Sequence, residues 1–103
     1  MFARIATFDG VDVEEAERTM DTVRERVEPM MRKMPGFQGY MELVDRSGGK
    51  ALTITLFDSE ESVRAAEPIF DEEMPKQLAD LFGQWAGRRS SVERYEILVD
   101  ERS

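Results

Sequence analysis

Histidine, cysteine and asparagine are all absent from this 103-residue sequence. Their absence removes thiolate nucleophiles, disulfides and thiolate zinc sites. Histidine-based serine triads, axial-histidine haem and imidazole metal sites go with them. Proton transfer must then use Asp, Glu, Lys, Tyr or water. Among local motifs, Gly36-Phe37-Gln38-Gly39 has the GxxG form of a nucleic-acid clamp. That clamp joins two helices in a basic setting, whereas here it enters a strand pattern in an acidic chain. Ser47-Gly48-Gly49-Lys50 has the S-x-x-K spacing of an acyl-transfer nucleophile. That chemistry needs both side chains on one helical turn, and a double glycine makes a hairpin tip instead. Asp9, Asp12, Glu14 and Glu15 fail the spacing of a calcium loop, and helix capping accounts for Asp12 and Glu15. Arg88-Arg89-Ser90-Ser91 reads as a solvated loop rather than a phosphate site. Trp85, the single tryptophan, lies between Gly83 and Gly87, where it could close a pocket or pack a helix end.

The elements that must position these residues follow from periodicity. FARIATF, residues 2 to 8, alternates as a strand with Phe2, Arg4, Ala6 and Phe8 on one face. Asp12 caps a helix whose stripe runs Val13, Ala16, Met20, Val23, Val27, Met30 and Met34, with a kink or break expected near Pro29. Residues 37–46 and 50–57 read as a hairpin through Ser47-Gly48-Gly49. Asp58 or Ser59 caps a second helical segment carrying Val63, Ala66, Phe70, Met74, Leu78 and Leu81. Pro68 and Pro75 divide it, each placed in a first turn. Residues 83–90 read as a loop and 91–99 as the last strand.

Strand, helix, strand, strand, helix, strand is the split βαβ, ferredoxin-like pattern of the α+β class, a four-stranded antiparallel sheet with its helices on one face. Residues 1–103 suit one domain. The greasier strand face (Gly39, Met41, Leu43 with Leu52, Ile54, Leu56) is expected under the helices. The mixed face (Phe8, Tyr40, Val44, Phe57, Val92, Leu98) would then be open, and a twofold homodimer through that sheet face would cover it. Arg4 would lie there beside Glu42, Glu96 and Arg94 in a salt-bridge network. The formal charge of −8 leaves no basic face for nucleic acid. No apolar run approaches the ~20 residues of a membrane span, and no signal peptide is visible. A cytoplasmic protein without a membrane partner is expected.

PGFQGYMELVDRSGGKALTITLFDSEESVRAAE, residues 35–67, resembles the antibiotic biosynthesis monooxygenase-like family of the dimeric α/β-barrel superfamily. The shared pattern is Pro-Gly-aromatic-x-Gly entering the second strand, a glycine hairpin, and aromatic-x-Ser-x-Glu after the third. MFARIATF and ERYEIL at the two ends also suit it. The resemblance implies a barrel-like homodimer with an apolar pocket between sheet and helices in each subunit. It also implies a small apolar or aromatic ligand and a cofactor-independent monooxygenase-like activity. Phe37, Met41, Ile54, Phe70, Trp85 and Tyr95 are the expected lining, with Tyr95 its best polar group. Asparagine-assisted oxygenation and haem degradation do not carry over, because neither Asn nor His is present. Phe57 also stands where the family often has Trp. A non-catalytic ligand-binding or stress-associated dimer is the alternative, and an ACT-type regulatory module shares the element order.

Overall fold

The computed structural model describes residues 1–82 and 86–102, except the side chains of Phe82 and Ala86. The strands are β1 (Phe2–Phe8), β2 (Phe37–Asp45), β3 (Lys50–Phe57) and β4 (Arg89–Glu96). They form one antiparallel sheet in the order β2-β3-β1-β4, which is the ferredoxin-like arrangement. Helix α1 (Val13–Arg26) starts at Asp12, whose carboxylate accepts from the Glu14 and Glu15 amides at 3.1 and 3.2 Å. It ends at Val27, and Pro29 opens the short helix α2 (Glu28–Arg32). A proline has no amide to give, so a new first turn is where it costs least.

Ser59, rather than Asp58, caps helix α3 (Glu60–Pro68) by accepting from the Ser62 amide at 3.2 Å. Pro68 does not open a helical piece as expected but closes α3, and a π-helical turn, Ile69–Glu73, follows. The wider turn has no need of the hydrogen bond that Pro68 cannot donate. Pro75 does open helix α4 (Met74–Gln77), and α5 (Ala79–Phe82) follows. The core joins Val27, Met31 and Met34 to Val63, Ala66, Met74 and Leu78 over the wholly buried Phe57. All helical elements in that cluster therefore lie against one face of the sheet. Gly36 has φ 76° and leaves no room for a Cβ beside Asp58 and Ser62, so it alone lets the chain turn from α2 under the start of α3.

Which sheet face lies under the helices is the reverse of the reading from greasiness. Phe2, Arg4, Phe37, Tyr40, Thr55 and Phe57 meet the helices. Met41, Leu43, Ile54 and Tyr95 lie on the opposite, open face, where Met41, Leu43 and Tyr95 are exposed. A β-bulge separates two of the residues expected to line one pocket. Phe37 pairs with Phe57 and Gly39 with Leu56, so Gln38 is an extra residue. Phe37 and Met41 would share a face in an unbroken strand, and the bulge separates them. The reversal itself has a chemical cause. The helix-covered side contains a cavity, and cavities hold small and polar residues that a greasiness count assigns to solvent. Phe57 is consequently buried and Tyr40 is tied to α2 through Glu28, neither being open as expected.

Candidate active site

Sheet and helices part over β1 and β3 to leave a cavity of about 270 Å³. Ala6 and Ala51 make part of its floor, and these short side chains are what leave the space. Met20, Val23, Val27 and Met31 close one side, and Phe70, Met74, Pro75 and Leu81 the other. The stripes that anchor the helices thus double as apolar walls. Polar groups enter at two places, Arg4 with Asp71 and Arg89, and Glu42 with Thr53.

Arg4 is 3% exposed and donates through Nε to Glu67 Oε2 at 3.1 Å. Its Nη2 reaches Asp71 Oδ1 at 3.4 Å, and the guanidinium stands 4.3 Å from the Phe70 ring centroid. Arg94 completes Glu67 at 2.5 Å, and Arg89 completes Asp71 at 2.8 Å. The network is therefore real, but its acids are Glu67 and Asp71 on the helical layer rather than Glu42 and Glu96. Burial pulls the Arg4 guanidinium down from its usual value, and Glu67 and Asp71 oppose this. Burial also pulls Glu67 upward, but its bonds to Arg94 and Arg4 outweigh that and hold the carboxyl below the usual range.

Glu42 has a different environment. Thr53 Oγ1 donates to its Oε2 at 2.9 Å, and it makes no salt bridge among the described residues. Desolvation by the cavity walls pushes this carboxyl up to about 7, while the Thr53 bond pulls the other way. Glu42 is exposed at the cavity's open side, and the water that reaches it there also works against the shift. Further along β3, the Thr55 hydroxyl is buried with no hydrogen-bond partner among the described residues.

Of the residues expected to line a pocket, Phe70 does so. Phe37 packs edge-on against Phe57 with ring centroids 6.4 Å apart, in the core beside the cavity. Met41, Ile54 and Tyr95 belong to the other sheet face, and the Tyr95 hydroxyl donates to Glu93 at 2.5 Å. Trp85 lies outside the described residues. Arg4, Glu42 and Thr53 were missing from the expected lining. Glu67 and Asp71, four residues apart and so on one helical face, were the available sign of a cation beneath that helix.

An antiparallel ferredoxin-like sheet with a cavity beneath its helices defines the class of protein. The antibiotic biosynthesis monooxygenase family model matches residues 1–67, and the chain belongs to that family. No curated protein matches it by sequence. Among solved structures, a Streptomyces coelicolor monooxygenase in complex with nanaomycin D is 18% identical with a TM-score of 0.70. That match covers 99% of this chain and 91% of the other. A dimeric ferredoxin-like protein from an uncultured marine organism is 12% identical, TM-score 0.72, covering 99% and 97%. A haem degrader from Mycobacterium tuberculosis with two haems in its active site is 16% identical, TM-score 0.64, covering 99% and 100%. At these identities the likeness concerns the fold.

Proposed function

We propose that this chain is a cofactor-independent, monooxygenase-like protein that holds one small apolar or aromatic molecule in the cavity between sheet and helices. The observation that carries the reading is the cavity itself, with apolar walls and a few convergent polar groups. Its volume of about 270 Å³ suits a ligand of one or two rings. The nanaomycin D complex of the Streptomyces relative supports an aromatic ligand. Haem does not suit these residues, since the described lining offers no His, Cys or Tyr as axial ligand. In such a protein the chain's work is to bind the molecule, orient it and exclude water, while an electron-rich substrate itself reacts with oxygen.

The functional unit is a twofold homodimer. Ile5, Leu52 and Ile54 stand half-buried on the open sheet face beside exposed Met41, Leu43 and Tyr95. A contiguous apolar surface of this kind is stable when covered, and a second copy offers the same surface in return. The dimeric marine relative supports the same assembly. Oxygen uptake with a panel of hydroquinones and anthrones tests the activity. Turnover above the uncatalysed rate is expected. Saturable ligand binding without turnover would instead favour a non-catalytic binding protein, the reading that the missing asparagine recommends.

A further inference from the structure

We infer that Glu42 is the proton acceptor of the cavity, its free Oε1 receiving the proton of a hydroxyl-bearing aromatic ligand. The inference rests on the cavity being a binding site for aromatic molecules, and it assigns that site an ionisable substrate class. Among the described residues two carboxylates line the cavity, Glu42 and Asp71. Asp71 is taken by Arg4 and Arg89. Thr53 fixes Glu42 by a single bond to Oε2, which leaves Oε1 without a partner among the described residues. A carboxylate oriented on one oxygen and open on the other is what a general base requires.

The charged surroundings leave that role to Glu42. On the α1 side Glu17 faces it, and Arg46 stands beyond the end of β2; these two pair with each other at 2.9 Å. Arg4, Asp71 and Arg89 occupy the other polar group and are mutually engaged. None of them bonds to Glu42. The apolar walls that raise its carboxyl toward neutrality also bring its proton affinity closer to that of an acidified phenol. In the transfer, the ligand O–H bond breaks heterolytically and the proton moves to Oε1. The electron pair stays on the ligand oxygen. The carboxylate becomes a neutral acid, the ligand becomes an oxyanion, and the net charge of the site is unchanged.

The test uses 4-nitrophenol, whose absorption reports its ionisation, and 4-nitroanisole, its O-methyl ether, on the intact protein and on Glu42→Gln. At about pH 8, where Glu42 and free 4-nitrophenol are both largely ionised, the wild-type complex is expected to show a phenolate band while taking up about one proton, and the variant complex to show one without the other. The ether should bind both proteins within about twofold, since it needs only the apolar walls. A wild-type complex without that pairing of phenolate band and proton uptake, or a variant complex with it, would overturn the role of Glu42 while leaving the cavity reading intact. Failure of the ether to bind wild type would overturn the cavity reading and this inference with it. Thr53→Val supplies a second check on a protein that retains Glu42. Losing the donor to Oε2 should raise the carboxyl further and carry the proton uptake to higher pH. An unchanged pH profile of uptake counts against the assignment.

Discussion

Replacing Arg4 by Met tests whether the buried cation is a single keystone or one part of a shared network. Methionine keeps most of the stem and its contact with Phe70, so the change is chiefly one of charge. The lost terms are a charge-assisted bond to Glu67 at 3.1 Å, a long and weak one to Asp71 at 3.4 Å and the stacking on Phe70 at 4.3 Å. Together these amount to about 2–4 kcal/mol. Against them stands the release of a guanidinium from a site only 3% exposed, where desolvation costs several kcal/mol. The carboxylates are not orphaned, because Glu67 keeps Arg94 at 2.5 Å and Asp71 keeps Arg89 at 2.8 Å. The two sides largely offset, so a net loss of no more than about 2 kcal/mol is expected, below the roughly 3–5 kcal/mol for removing one partner of an isolated buried pair. The double variant with Arg94→Met strands Glu67 and should reach that larger figure. Urea unfolding at a fixed protomer concentration measures both. A single variant as damaged as the double would refute the shared-network argument. pH gives an independent readout. The lowered carboxyl of Glu67 adds stability that is complete above its ordinary value of 4.5 and disappears as pH falls through the folded value. Arg4→Met removes part of that contribution, so wild type and variant should converge as the solution is acidified below 4.5.

Three other substitutions have definite expected outcomes. Leu43→Asp places a charge on the open sheet face and should shift the protein toward monomer in size exclusion with light scattering; an unchanged dimer would exclude that face as the interface. Thr55→Val removes a buried hydroxyl that has no partner among the described residues and should raise stability by about 1 kcal/mol in the same urea assay. A loss there would mean that the hydroxyl is engaged. Gly36→Ala forces a Cβ into φ 76° and against Asp58 and Ser62, for an expected loss of about 1–3 kcal/mol by thermal or urea unfolding.

The order of the elements was legible because each signal is local. Asp12 and Ser59 cap helices, Pro29 and Pro75 open new helical pieces, and the double glycine turns the hairpin. Pro68 misled because a π-helical turn relieves a missing amide as well as a first turn does. The orientation of the sheet could not be read from hydrophobicity, which records burial without recording by what. Met41, Leu43 and Ile54 are greasy on the open face, while Arg4, Glu42 and Thr53 are polar and face the helices. Phe70 was found through its place in the helical stripe. Glu42 was not assigned to the lining, since its meaning depends on the alanines that hollow out the floor, Ala6 and Ala51.

The alternation of β2 makes one strand into two interleaved messages. Tyr40 and Glu42 are addressed to the helices and the cavity, whereas Met41 and Leu43 are addressed to the surface beyond the sheet. No side chain has to serve both readers. Changes at one set of positions can alter what the cavity admits while the other set keeps its own vocabulary. A sheet one residue thick can in this way let a cavity and an outer surface diversify separately, though their letters alternate along the same nine residues.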